Sequence, residues 1–241
     1  MSFNNAESKN TFVPKQALAP TPTLYDELTA DGMINLAKVT LAQIPRITNG
    51  SIIHDNGCGT GAGTSAIVAA ISDPSTKISI KGTDISSQAL EIYSQKAAKD
   101  KWPAEAVKMD SCALSFPDET FTHSLNSALL FVLPDDGIAA PGGIALFNSW
   151  AYVPNMSPIQ AAATATRPPG TPLPRQGLEK WTQASHLQSV IENGGFEKEK
   201  TMMATGDIFV TTCEIERYAA MLWSFIGGTS SVGWLESDEQ N

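Results

Sequence analysis

Apolar residues recur along this chain in two rhythms, one helical and one alternating. From Gly32 to Gln43, the residues Met33, Ile34, Leu36, Ala37, Val39 and Leu41 keep helical spacing, and Pro45 ends the run. Thr21-Pro-Thr-Leu-Tyr-Asp-Glu-Leu28 predicts an earlier helix, with Pro22 early and acids in its first turn. Ser51–Asp55 and the alternating Lys77–Asp84 read as strands one and two. Ser86 caps a helix to about Lys99, with Leu90, Tyr93 and Ala97 on one face. Further strands are expected at Ala106–Asp110, Phe121–Ser127, Gly143–Ser149 and Phe196–Ala204. Helices are expected at Glu179–Asn193, stopped by Gly194-Gly195, and at Cys213–Phe225. Four prolines between Pro168 and Pro174 require an irregular loop.

Strands alternating with helical patterns predict an α/β fold, a doubly wound, mainly parallel sheet with helices on both faces. A polar arm over residues 1–20 precedes one domain over 21–241, with a substrate-side insertion at about 151–180. A net charge of -9 argues against nucleic acid or an anionic membrane as partner. The three cysteines Cys58, Cys112 and Cys213 are odd in number and widely spaced. They form neither a disulfide framework nor a zinc pattern, so no metal is expected. With no signal-like start and no membrane-spanning apolar run, the expected location is the cytoplasm. The pattern leaves the oligomeric state open.

The candidate chemistry gathers at His54-Asp-Asn-Gly-Cys-Gly-Thr-Gly61, between strand one and a helix. Glycines at this spacing let backbone turn tightly and approach a ligand, and the helix N-terminus directs N–H groups toward it. Ligands of open α/β sheets sit beyond the carboxyl ends of the strands, where Asp55, Asp84 and Asp110 are expected. Asp84 suits two ribose hydroxyls and Asp110 the exocyclic amine of adenine. Asp55 suits a cationic amino group, or else orients the loop. Gly57-Cys-Gly59-Thr-Gly-Ala62 also satisfies a relaxed dinucleotide fingerprint. On these signals NAD and S-adenosylmethionine both remain open.

Asp110-Ser-Cys-Ala-Leu-Ser-Phe-Pro-Asp-Glu-Thr-Phe121 resembles a segment of the class I S-adenosylmethionine-dependent methyltransferases, with Ser115 for the usual proline and Thr122 for the usual aspartate. The glycine turn resembles that family's first motif, Gly82-Thr-Asp-Ile-Ser86 its second, and Pro141-Gly-Gly-Ile-Ala-Leu146 its turn before strand five. The resemblance spans roughly Tyr25 to Ala204 and implies a Rossmann-like fold. It implies S-adenosylmethionine contacts from Asp55, Asn56, Gly57, Gly59, Asp84, Ile85, Asp110, Ser111 and Asn126, with Ile85 against adenine and Tyr25 as a lid. Asn56, Phe147-Asn-Ser-Trp150 and Glu192-Asn-Gly-Gly-Phe196 look closest to a fungal branch acting on thiols and other small molecules of secondary metabolism.

The expected reaction is in-line methyl transfer to a thiol or hydroxyl of a small apolar metabolite, where alignment supplies most of the rate. A hydroxyl acceptor would need a general base, with His186 the first candidate and His54 and His123 read as structural. Trp150, Tyr152 and Trp181 are candidates for an apolar acceptor pocket, and Cys58 is read as loop packing. The alternatives are a non-methylating cyclisation or isomerisation on the same fold, or a cofactor-binding regulatory protein. Two departures from the family stand out. The crossover between Leu133 and Pro141 is short, and the chain stops where the family continues into another helix and strand.

Overall fold

Five strands, all parallel, lie side by side in the order β3-β2-β1-β4-β5 in the computed structural model. It describes residues 18–133, 143–174, 176–212, 214–229 and 234–240. The strands are β1 (Ile52–Asn56), β2 (Ser79–Asp84), β3 (Ala104–Lys108), β4 (His123–Asn126) and β5 (Ile144–Phe147). The expected short crossover between the last two, and Cys213, lie outside the described residues, as do 1–17 of the expected arm and Pro141 and Gly142.

The chain divides into two compact units. The sheet unit comprises residues 31–149 and 184–210. In it α2 (Gly32–Leu41) and α3 (Ala62–Ala70) supply Ala37, Ala66 and Ile67 to a core with Ile53, Ile80, Leu125 and Leu146 from four adjacent strands. Each isoleucine or leucine among them contributes about 1.5–3 kcal/mol through burial. A second cluster forms where α4 (Ser87–Asp100) lays Leu90, Tyr93 and Ala97 against Cys58, Trp102, Ala104 and Ala106. The sheet is therefore covered by helices, as a doubly wound, Rossmann-like α/β fold requires. Ser86 caps α4 as expected, its hydroxyl accepting from the Ala89 N–H.

The helical unit draws on residues 18–30, 150–183 and 211–240, so the expected 151–180 insertion falls within it. It holds α1 (Pro22–Thr29), α5 (Met156–Thr166), α7 (Ile215–Thr229) and α8 (Glu236–Gln240). Thr21 caps α1, but Asp26 and Glu27 fall beyond its first turn; Glu27 instead forms a two-pronged pair with Arg217 of α7, both bonds at 2.8 Å. Trp223 and Trp234 stack at 4.4 Å beside Ile159, Ala163, Leu173 and Leu222.

Several expectations need correction. Residues 196–204 form no strand. Four consecutive charges, Glu197-Lys-Glu-Lys200, instead fold into a local 3-10 turn, because a strand covered on both faces cannot bury them. The chain beyond it packs on α2 through Gly206 beside Val39, Val210 beside Gly32 and the Phe209 carbonyl, which accepts from Asn35. The expected helix 179–193 is broken at Gln183, whose extended backbone separates a 3-10 turn at Glu179–Thr182 from α6 (Ala184–Asn193). The last long helix begins at Ile215. Helices α5 and α8 were not expected: α5 buries only Ile159 and Ala163, too narrow a stripe for its Ala/Thr-rich sequence to advertise. Strand β3 lies two residues earlier than expected, which leaves Asp110 beyond its end.

Candidate functional site

Backbone bonds shape the glycine turn before any side chain does. Cys58 N–H donates to Thr83 O of β2 at 2.9 Å, and Gly61 N–H returns to Cys58 O at 2.9 Å. Gly57, Gly59 and Gly61 all take positive φ, at 68°, 53° and 101°, which side chains disfavour. A Cβ on Gly59 would project into open space, with nothing within 4 Å of it.

Asp84 ends β2 beside this turn. Its Oδ2 accepts from Gly59 N–H at 2.9 Å and its Oδ1 from Ser86 N–H at 2.8 Å. Each oxygen keeps lone-pair capacity for a diol. Next to it Ile85 is 67% exposed, an apolar surface that the fold leaves uncovered. Asp110, two residues past β3, is exposed and accepts from Cys112 N–H at 2.9 Å.

Asp55 faces inward. It is 2% exposed, and its Oδ2 accepts the Thr64 hydroxyl at 2.7 Å; the Thr64 backbone N–H also bonds to it. Helix α3 begins at a glycine with no capping side chain, so Asp55 caps it from β1. The Tyr93 hydroxyl joins Thr64 Oγ1 at 2.8 Å. Burial pushes the Asp55 carboxyl up to about 6 against the hydrogen bonds from Thr64. Of the two roles open to Asp55 in the sequence, the hydrogen bonds describe the loop-orienting one.

The strand-end carboxamides are also turned inward. Asn56 and Asn126 are 1% and 0% exposed, and Asn56 Nδ2 donates to Asn126 Oδ1 at 2.9 Å. Ser111 and Thr83 donate to Asn56 Oδ1 at 2.8 and 3.2 Å. Thr83 thereby spends its one hydroxyl proton, so His54 Nε2 carries the proton of the 2.8 Å bond to Thr83 Oγ1. His54 is stacked on Phe121 at 4.8 Å, and burial pulls it down to about 4, so it is a neutral core residue. Burial also lowers His123, whose Nδ1 meets Thr122 Oγ1 at 2.9 Å. Cys58 is buried and burial pushes its thiol up, away from the reactive thiolate.

The structure thus brings Gly57, Gly59, Asp84, Ile85, Asp110, Ser111, Asn56 and Asn126 to one end of the sheet. His186 is half-buried in the first turn of α6. Tyr25, Trp150, Tyr152 and Trp181 belong to the helical unit. Tyr25 meets Phe225 edge-on at 5.6 Å, Tyr152 is 70% exposed, and Trp181 is buried. Thr64 and Thr83 were missed in the sequence, and Tyr93 was read only as part of the packed face of its helix; the spacing of Thr64 in the first turn of the helix after Asp55 is the signal that could have found it. Among the described residues no helix is long and apolar enough to cross a membrane, and no cluster of His, Cys, Asp or Glu could hold a metal.

Residues 53–140 match the family described as a methyltransferase domain. No curated protein matches the chain. Solved structures similar to it include the YcgJ protein from Bacillus subtilis, 17% identical over 38% of each chain with a TM-score of 0.33. Another, on the conversion of a disulfide bond into a thioacetal group during echinomycin biosynthesis, is 21% identical over 68% of this chain and 70% of that one, TM-score 0.48. Geranyl diphosphate methyltransferase in complex with SAM is 16% identical over 37% and 35%, TM-score 0.33. The match with YcgJ, like those with two further solved structures, spans only 33–40% of the matched chain. The matched stretch holds the glycine turn, Asp84 and Asp110, so the likeness to a methyltransferase domain falls on the candidate site.

Proposed function

We propose that the protein transfers a methyl group from S-adenosylmethionine to a thiol or hydroxyl of a small apolar metabolite, as in fungal secondary metabolism. The observation that carries this reading is the pairing of the open glycine turn with Asp84, whose carboxylate is fixed by the turn's own Gly59 N–H. The residues fit the cofactor. Asp84 would accept the ribose hydroxyls, Ile85 would lie against adenine and Asp110 would accept its amine. Gly59 leaves backbone room. Bound there, the cofactor supplies an electrophilic methyl group on a sulfonium.

The chain's contribution to rate is then alignment and exclusion of water rather than acid–base chemistry. His54 and His123 are held toward the neutral form by burial and are bonded to threonines, which makes them poor proton carriers. A thiol acceptor needs little help with deprotonation, and a hydroxyl acceptor would call on His186.

The test is calorimetry with S-adenosylmethionine and S-adenosylhomocysteine, followed by measurement of S-adenosylhomocysteine release with aryl and alkyl thiols and the matching alcohols. Binding with turnover on thiols or alcohols is the expected result. Binding without turnover would favour cyclisation, isomerisation or a regulatory role, and no binding would overturn the cofactor assignment.

A further inference from the structure

Asn56 joins polar groups from both sides of β1 without reaching solvent. Its Oδ1 accepts from Ser111 at 2.8 Å and Thr83 at 3.2 Å, while its Nδ2 donates to Asn126 Oδ1 at 2.9 Å. Asn126 Nδ2 in turn donates to Leu146 O at 3.3 Å and Ser124 Oγ at 3.2 Å. One continuous set of bonds therefore runs from β5 through β4 and β1 to the loop after β3.

A pair of carboxamides inside a sheet is costly unless its groups are bonded. What the amide provides that an aliphatic residue could not is a hold on Ser111. That residue adjoins Asp110, whose Oδ1 is already engaged by Cys112 N–H at 2.9 Å. The second carboxylate oxygen is left to accept from a ligand. A carboxylate there attracts an amine and repels an oxo group, whose lone pairs face its own.

We infer that Asn56 is a positioning residue for recognition of the cofactor's base: through Ser111 it sets where Asp110 stands, and so how strictly an amino-purine is preferred to an oxo-purine. The inference rests on the cofactor reading above, and Asn56, 1% exposed, acts through Ser111.

The test compares S-adenosylhomocysteine with S-inosylhomocysteine, which carries oxygen in place of the amine, by calorimetry on the full chain. The unaltered protein is expected to prefer the first by about tenfold or more, the scale of one charge-assisted hydrogen bond. Asn56→Leu and Ser111→Ala should each reduce that preference about three- to tenfold, and Ser111→Thr should keep it. The double variant should lose no more than the larger single loss, because both changes break the same bond. Equal weakening toward both ligands, with the preference intact, would reduce Asn56 to a structural role and overturn the inference. Should Asn56→Leu fail to fold, an unchanged preference in Ser111→Ala overturns it equally. If the unaltered protein binds neither ligand, the cofactor reading itself falls, and the inference with it.

Discussion

The Arg167 guanidinium and the Asp238 carboxylate, 71 residues apart, form a two-pronged ion pair with side chains only 1% and 2% exposed. Nε lies 3.1 and 3.0 Å from the two oxygens and Nη2 lies 2.6 Å from Oδ2. The other valences are used as well. Arg167 Nη1 donates to Pro172 O, and Asp238 accepts from Thr166 Oγ1 and, at 2.8 Å, from Leu235 N–H. Helix α5, the proline loop and α8 are joined at this point. Arg167→Met leaves a buried carboxylate without its cation and should cost about 3–5 kcal/mol in chemical denaturation. The double variant Arg167→Met/Asp238→Leu should lose clearly less than the single one. A milder single variant would contradict the pair's role.

His54 and Asp55 are neighbours with opposite shifts, and their pH effects should cancel. Asp55 is raised from 3.8 to about 6, so between those values the native state keeps a proton that the unfolded chain has lost. Its contribution makes stability fall as pH rises through that window. His54 is lowered from 6.5 to about 4, so the unfolded chain holds the extra proton and stability falls as pH drops through its window. Where the windows overlap, the native pair is neutral and the unfolded pair carries one charge of each sign. The proton count is then equal. Asp55→Asn should expose the His54 slope, a loss of about 3 kcal/mol between pH 6.5 and 4, read from urea midpoints. The same pH profile in variant and parent would rule this out.

Two glycines of the turn should separate stability from binding. A methyl on Gly63 would lie 2.6 Å from Asp55 Oδ1, so Gly63→Ala should destabilise by about 1–3 kcal/mol. Nothing lies within 4 Å of a Cβ on Gly59, whose φ is +53°. Gly59→Ala should therefore cost only about 1–2 kcal/mol of backbone strain, yet weaken S-adenosylmethionine binding at least about tenfold by filling the approach. Thermal melts and calorimetry on both variants decide this.

Asp84→Asn should weaken cofactor binding by about tenfold or more and cost about 1–3 kcal/mol of stability. One amide hydrogen pair would be forced to face either Gly59 N–H or Ser86 N–H, and the turn would lose its anchor. Normal binding in this variant would remove Asp84 from the site.

The sheet was legible because each strand announces itself. Isoleucines at Ile53 and Ile80 sit before turn glycines or a terminal acid, and the five strands fall within two residues of their expected places. Glu197-Lys-Glu-Lys200 misled because Phe196 and the two methionines after it mimic a strand, while the cost of burying four charges is a tertiary fact. The glycine turn and Asp84 could be read from spacing alone. The inward turn of Asp55, Asn56 and Asn126 could not. A strand-end polar residue can face a ligand or the core, and only Thr64, Thr83 and Ser111, brought from other elements, decide which.

The Gly59–Asp84 bond has a thermodynamic corollary. The turn's conformation is held by bonds made wholly within the protein, from Cys58 N–H to Thr83 O and from Gly59 N–H to Asp84. The entropy of ordering this backbone is spent in folding, at about 1–2 kcal/mol per residue, rather than on association. Ligand binding should therefore carry only a small conformational-entropy penalty. The Cys58 and Gly59 amide hydrogens should exchange slowly in the ligand-free protein and gain little further protection when a ligand is added.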